Sequence, residues 1–450
     1  MPTSPSLSSV SATLHRHARP LSGSEDAGAV VPLLAGADLV LLGEATHGTQ
    51  EFYRLRAEIS KRLIAEHGFD AIAVESDWPD ALRASRHAQG DEADASPEQS
   101  LDGYQRFPRW MWRNTETVRL LRWLRAHNLA LPPGEPRVGF YGLDLYSLRS
   151  SMDAVLRYLR DTDPAAAQRA MERYGCFDHM AEDPQRYGQM ASFGLTTDCE
   201  AQVVQQLKEM SMALERQLRH DGTAEVDELF YAQQNARVVR NAESYYRKMF
   251  TGRIASWNLR DEHMAETLFA LSEHLGHRLR RRARIVVWAH NSHIGDARAT
   301  ELGDHGEWNL GQLVRERAGD TSTALLGCTT HAGTVTAAAD WDMPAQRRTV
   351  RPSHPDSIEG LFHHLGLPAF VLPLAGNAEL RRALSEPRLE RAIGVIYAPR
   401  TERVSHYFRA EIPRQFDAVV HFDTTQALEP LDASGHWQPN VEEETYPSGL

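Results

Sequence analysis

The sequence predicts an α/β protein with a mostly parallel central sheet flanked by helices, a helical insertion, and an active-site cleft at the carboxyl ends of the strands. Four apolar runs point to this: Ala37–Glu44, Asp70–Glu75, Arg137–Asp144 and Arg284–His290. Their short length and richness in Val, Ile and Leu read as strands buried on both faces. Each run ends in an ionisable side chain, and a core strand has no packing reason to do so. In open α/β sheets, ligands sit beyond those strand ends. Glu44, Glu75, Asp144 and His290 are therefore expected on the rim of one pocket.

The elements follow in order. The Ser- and Pro-rich start reads as a loose tail over residues 1–9, and a short helix precedes the first strand. After the turn Ala45–Thr49, a helix runs from about Glu51 to His67, with Phe52, Leu55, Ile59 and Leu63 on its inner face. Gly68 ends it. The second strand follows at once, so a right-handed βαβ unit is expected, with the second strand beside the first. Asp91–Gln99 reads as an acidic exposed loop, and aromatic density rises through Tyr104–Trp112. A helix over Asn114–Asn128 leads into the third strand. From Ser150 to about Arg282 the strand signal disappears; helices are expected over Thr196–His220, Glu225–Met249 and Asn258–Arg280, the last capped by Asn258. Strands return at Ile285–Ala289, Thr323–Gly327, Ala369–Leu372, Gly394–Ile396 and Ala418–Phe422. The resulting division is an α/β part over 10–149, a helical insertion over 150–282, a second α/β part over 283–432 and a C-terminal tail over 433–450.

Composition narrows the function. The 450 residues are 42% hydrophobic and 24% charged, enough for a large core. The net charge of −12 argues against nucleic acid or an anionic membrane as partner. The basic run Arg278–Arg284 closes a helix, where positive charge suits the dipole. Three dispersed cysteines, Cys176, Cys199 and Cys328, exclude a thiolate zinc site and make a disulfide framework unexpected. The first twenty residues lack the apolar core of a secretory signal, and nothing approaches a membrane span, so a cytoplasmic protein is expected. The sequence does not speak to oligomeric state.

Two constellations carry chemistry. In Gly43–Gly48 (GEATHG), Glu44 and His47 lie three residues apart in the turn after a buried strand. A neutral imidazole takes a proton from water, and a nearby carboxylate fixes its tautomer and stabilises the cation. In His290-Asn291-Ser292-His293, two histidines three apart face one cavity, as metal ligands or as donors to a developing oxyanion. Glu75 is expected next to the Glu44–His47 turn. There, repulsion between carboxylates raises one of them, or Glu75 is a salt-bridge partner of Arg56; the two are compatible, because Arg56 can orient a carboxylate and also bind an anionic group. Trp110 and Asp144 are candidates for substrate contact; interdomain packing for Trp110 and a backbone bond within its own loop for Asp144 are the other readings. The two glycines of Gly43–Gly48 lack the spacing and lysine of a phosphate loop.

With these motifs in hand, the sequence resembles the erythromycin esterase family. The likeness rests on GEATHG, the helix with Arg56, AVESDWPDA (Ala73–Ala81), FYGLDLYSL (Phe140–Leu148), SWNLRDEHM (Ser256–Met264), VVWAHNSHIGD (Val286–Asp296), APRTERVSHYF (Ala398–Phe408) and QFDAVVHFDTT (Gln415–Thr425). The resemblance implies a mixed α/β fold with a deep cleft and hydrolysis of a lactone or ester by activated water. His47 then matches the general base and Glu44 its acidic partner, with Glu75, Arg56, His290 and His293 in the active cleft. Arg400 falls in a family-like stretch and is a candidate substrate or supporting group. Ala398 stands where an aromatic is expected before the proline, which implies a different pocket wall. The family implies no cofactor. A divalent metal held by Glu44, His47, Glu75, His290 or His293 is the alternative, and a cleft that binds haem or a polyketide without turnover is another. Relatives are also labelled exopolysaccharide biosynthesis proteins, so the partner is a small-molecule ester or lactone, or an ester within a sugar polymer.

Overall fold

The computed structural model describes residues 7–177, 189, 199–218, 223–250, 252–433 and 437. Its strands, in chain order, are β1 (Arg19–Pro20), β2 (Leu39–Leu42), β3 (Ala71–Asp77), β4 (Gly139–Asp144), β5 (Ile285–Trp288), β6 (Thr323–Ala337), β7 (Gln346–Val350), β8 (Ala369–Pro373), β9 (Arg388–Arg391), β10 (Tyr407–Ala410) and β11 (Ala418–Thr425). Among the described residues nine of them form one mixed sheet, ordered β1-β8-β11-β6-β2-β5-β3-β4 with β7 on β6. From β11 to β4 every neighbour is parallel, while the pairs β1–β8, β8–β11 and β6–β7 are antiparallel. The α/β fold read from the sequence is the fold observed.

Alternation along each strand divides the core. Val40, Leu42, Ile72, Val74, Val286 and Trp288 pack on one face against Phe52, Leu55, Ile59 and Leu63 of the helix Gln50–His67. Burying each such side chain contributes about 1.5–3 kcal/mol. Leu39, Leu41, Ala71, Ala73, Ile285 and Val287 face the other way, onto Leu268, Leu271 and Leu275 of the helix Arg253–Leu279. Gly68 takes a left-handed φ of 67° and stops the first of these helices, as its position suggests.

Several expectations are corrected. β3 does not lie beside β2; β5 sits between them and pairs with both. The physical reason is that this order is set by pairing between strands far apart in the sequence, which adjacency along the chain does not reveal. The register of β5 fixes the site: Leu42, Trp288 and Val74 share one rung. Glu44, His290 and Glu75 therefore leave the sheet at nearly the same height. Gly394–Ile396 is not a strand, because Ile393 and Ile396 make only single bridges, to Thr46 and Ala338. The strand just before it, β9, pairs with β10 instead. β6 runs well past Gly327, and its extension turns back as β7.

The last helix before β5 starts at Arg253, not at Asn258. The Asn258 side chain instead donates to the Gly306 carbonyl at 2.9 Å and accepts from the Trp308 N–H at 3.0 Å. Between Leu148 and Leu279 the described residues form helices and no strand; those from Leu148 to Lys248 share their own apolar cluster, including Val155, Tyr174, Val203, Met210 and Val239. Contrary to expectation, Cys176 and Cys199 are bridged, with Cα atoms 5.9 Å apart. Leu7–Ser9 begin a helix rather than extend a tail, and Trp437 is buried, its indole donating to Thr336 Oγ1 at 2.7 Å. The expected tails over 1–6, 434–436 and 438–450, and part of the expected helix 196–220, lie outside the described residues. Among those residues no helix is long and apolar enough to cross a membrane.

The turn after β2 is held by close backbone packing. A Cβ on Gly48 would stand 1.8 Å from the Thr336 carbonyl oxygen of β6, and Thr336 N–H donates to Gly48 O at 2.9 Å. Gly48→Ala is expected to destabilise the protein by about 1–3 kcal/mol, the range for overpacking. The shift is read as a lower denaturant midpoint; an unchanged midpoint contradicts the close approach.

Candidate active site

The turn Gly43–Gly48 is fixed from both sides. Ile393 N–H donates to Ala45 O at 2.8 Å, and His47 N–H donates to Ile393 O at 3.2 Å. Asn291 N–H donates to Glu44 O at 2.8 Å. Gly43 has no room for a side chain, since a Cβ there would meet Asn291 Oδ1 at 2.2 Å.

Glu44 and His47 form a buried dyad. His47 Nδ1 lies 2.9 Å from Glu44 Oε1. Arg56 donates from Nη2 to Glu44 Oε2 at 2.5 Å and stacks over Tyr53 and Trp288. With Nδ1–H given to the carboxylate, the lone pair of His47 falls on Nε2. Arg56 thus pairs with Glu44 and not with Glu75. It is wholly buried, so it orients a carboxylate and does not present itself to an anionic ligand.

The His290 loop supplies the opposite wall, and the His47 and His290 ring centroids are 4.9 Å apart. Ser292 N–H donates to His290 Nδ1 at 3.2 Å, which leaves the His290 proton on Nε2. That Nε2 is buried and makes no hydrogen bond, although the Ala45 carbonyl is near. Burial, then the neighbouring His47, pushes His290 down to about 3, so it is neutral. A neutral ring with an unspent, buried N–H is a donor waiting for an acceptor.

Glu75 lies at the junction of three elements. Its Oε2 accepts the His290 N–H at 2.9 Å and its Oε1 accepts from Arg260 Nη2 at 2.7 Å. Burial opposes its charge, but His293, Arg260 and His47 outweigh that and hold the carboxyl well below the usual range. The raised carboxylate expected from repulsion is therefore absent at Glu75. Arg260 also grips Asp144, with Nε to Oδ1 at 3.0 Å and Nη2 to Oδ2 at 2.7 Å. Asp144 accepts its own Leu145 N–H at 2.9 Å as well, so it is engaged by protein on both oxygens.

His293 stands in a second dyad. Its Nδ1 is 2.9 Å from both oxygens of Asp261, its Nε2 is 3.0 Å from Arg260 Nη1, and its ring stacks on Trp257 at 4.5 Å. Burial would lower His293, but Asp261 and Glu75 raise it.

Glu44, His47, Arg56, Glu75, Asp144, His290 and His293 are thus brought together. Two proposed contacts are not. Trp110 is buried in the core on the side of the helix Gln50–His67, so its aromatic bulk packs rather than lines a groove. Arg400 is exposed in the turn after Ala398-Pro399. Arg260 and Asp261 were not singled out from the sequence. Their signal was a break in an apolar stripe: along Trp257, Met264, Leu268, Leu271 and Leu275, the intervening inner positions carry charge. His47 and Arg260 have the largest exposure among these groups, with 9% and 15% of their side chains accessible, so the cluster is reached from that side. A large cavity of about 1510 Å³ lies elsewhere, between the helix Trp78–Ala88 and the helices Leu148–Thr162 and Glu200–Leu218. It contains none of these groups.

Removing Arg260 strands Glu75 and Asp144. Arg260→Ala is expected to cost about 3–5 kcal/mol, as for a buried pair that loses one partner. Because Glu75 titrates lower folded than unfolded, its stabilisation is present above the ordinary glutamate value and lost as pH falls. Glu75→Gln is expected to flatten the acid side of the Tm-against-pH curve. An acid side identical to the parent contradicts an ionised, paired Glu75.

Comparison with known proteins agrees with this architecture. A sequence profile described as erythromycin esterase matches residues 64–425, a range that begins after the Gly43–Gly48 turn and Arg56. A putative hydrolase, YbfO, of Bacillus subtilis (strain 168) is 22% identical over 432 residues, covering 90% of this chain and 89% of its own length. A crystal structure of a succinoglycan biosynthesis protein is similar with TM-score 0.72 and 20% identity, covering 94% of this chain and 98% of that one. A Bacillus cereus protein gives TM-score 0.76 at 20% identity, covering 95% and 99%. A mutant of the erythromycin esterase EreC in its open conformation gives 0.63 at 17% identity, covering 90% and 95%. At such identities the structures speak to the fold, and the profile, matching most of the sequence, to the family. This chain belongs to the erythromycin esterase family.

Proposed function

We propose that the protein hydrolyses a carboxylic ester or lactone, using water activated by His47. Family membership and the likeness to a putative hydrolase support a hydrolase; the chemistry of the site supports the ester. The observation that carries the reading is the pairing of a free base with a free donor. His47 Nε2 has its lone pair available while Glu44 holds Nδ1, and His290 Nε2–H stands unspent beside it.

In this reading a water molecule gives its proton to His47 Nε2 as its oxygen attacks the carbonyl carbon. Glu44, held by Arg56, stabilises the imidazolium. The carbonyl oxygen becomes an oxyanion and takes the His290 Nε2–H bond. Collapse breaks the C–O bond, and the imidazolium returns its proton to the leaving alkoxide. Glu75 is too acidic to deliver that proton. Its part is to hold the His290 backbone and Arg260 in place.

A divalent ion is another way to activate water, and the donor set does not suit one. Arg56 occupies Glu44 Oε2, Arg260 occupies Glu75 Oε1, and both nitrogens of His293 are engaged. No group of three or more His, Cys, Asp or Glu among the described residues is disposed to hold a metal.

The substrate class is tested by incubation with a panel of macrolides, simple esters and acylated sugar polymers, with mass spectrometry reading the addition of one water. Against any ester that is turned over, His47→Ala is expected to lower kcat by about 10²–10⁴-fold and His290→Ala by about 10²–10³-fold. The far-UV spectrum and Tm of each variant check that the fold survives. A His47→Ala enzyme at the parent rate overturns the base assignment.

A further inference from the structure

Behind the active site lies a buried acid pair that the hydrolysis does not use. Glu390 of β9 and Glu359 of the helix Ile358–His363 are both wholly buried. Arg391 N–H donates to Glu359 Oε1 at 3.0 Å, and Asn291 Nδ2 donates to Glu390 Oε1 at 3.2 Å. The remaining oxygens, Glu359 Oε2 and Glu390 Oε2, have no hydrogen-bond partner, and neither does the buried Gln415 Oε1. The Gln415 and Asn291 side chains favour the ionised form of Glu390, while burial and the charge of Glu359 oppose it more strongly. With both acids ionised, all three orphan atoms are acceptors. One proton on Glu390 Oε2 converts one of them into a donor.

Glu390 sits where both halves of the site are anchored. Through Asn291 it backs the His290–His293 loop, for Asn291 N–H holds Glu44 O at 2.8 Å and Asn291 Nδ2 also holds Cys328 O at 2.8 Å. Through its own strand it leads, three residues on, to Ile393, whose backbone pins Ala45 and His47. We propose that Glu390 is a positioning residue, held as the neutral acid, whose proton keeps these two anchors together. The inference rests on the hydrolytic reading for its effect on turnover, but not for its effect on the site.

The charges around the pair favour this state. Arg391 turns its guanidinium away, onto the carbonyls of Thr330, His331 and Arg351 and onto Glu402 Oε1 at 3.2 Å. Burial raises Glu359 too, but the Arg391 charge opposes that rise, which leaves the proton to Glu390. The nearby Tyr407 and Cys328 are each pushed up to about 12 and stay neutral. Burial, then Glu359, pushes Glu390 up to about 8. Its contribution to stability is complete below the ordinary glutamate value and is lost as pH rises through about 8. Above that, two buried anions repel, and the strain falls on β9 and on Asn291.

The test compares the full-length parent with Glu390→Gln, which mimics the neutral acid, and Glu390→Ala, which removes the contact. Imidazole NMR of His47 and His290 is followed against pH, alongside hydrolysis of 4-nitrophenyl acetate. In the parent, both imidazole signals are expected to step near pH 8, with turnover falling at the same step. Glu390→Gln is expected to lose the step and keep activity at alkaline pH, while Glu390→Ala loses activity throughout. No step in the parent, the same step in Glu390→Gln, or a Glu390→Gln enzyme as impaired as Glu390→Ala overturns the proposal. A step present without any ester turnover counts against the esterase reading and leaves this one standing.

Discussion

The guanidinium of Arg260 is the contact on which the site depends. It joins Glu75 at the end of β3, Asp144 at the end of β4 and His293 in the loop after β5. A carboxylate buried without a partner costs several kcal/mol or neutralises by taking up a proton. Three strand ends bearing ionisable groups are compatible with a folded core only because a cation from the helix Arg253–Leu279 lies among them. The same contact ties that helix to the carboxyl ends of the strands. Stability and geometry at this point are one requirement.

The two histidine–carboxylate dyads look alike in outline and differ in what is left free. His47 has Glu44 on Nδ1 and no protein partner on Nε2 among the described contacts. His293 has Asp261 on Nδ1 and Arg260 on Nε2. A base needs an available lone pair, so in the proposed hydrolysis the difference gives proton transfer to His47 and support to His293. His290 stands beside His47 with the opposite property, a buried Nε2–H with no hydrogen bond made in full geometry and only the Ala45 carbonyl near it. The division of labour follows from hydrogen-bond accounting, before any substrate is considered.

Much of this was legible in the sequence because buried parallel strands advertise themselves as apolar runs, and an ionisable residue ending such a run stands out. Glu44, Glu75, Asp144 and His290 were found in that way. Strand order was not legible. Only pairing over a long sequence separation places β5 between β2 and β3, and nothing local to either run encodes it. Arg260 was hidden for a related reason: a charged residue on a long polar helix looks solvated until the carboxylates that bury it are known. β9 was missed because Arg388-Leu389-Glu390-Arg391 reads as a surface segment, although its last two residues are wholly buried. Trp110 misled in the other direction, since aromatic density signals a core as readily as a groove.

The central claim is that solvent water, activated at His47, attacks the ester directly. A single-turnover hydrolysis in ¹⁸O-labelled water, with enzyme in excess over ester, tests it most directly. Incorporation of ¹⁸O into the carboxylic acid product of the first turnover is the expected result. An unlabelled first-turnover acid, its new oxygen drawn from Glu44 or Glu75, would show a carboxylate nucleophile and contradict the claim.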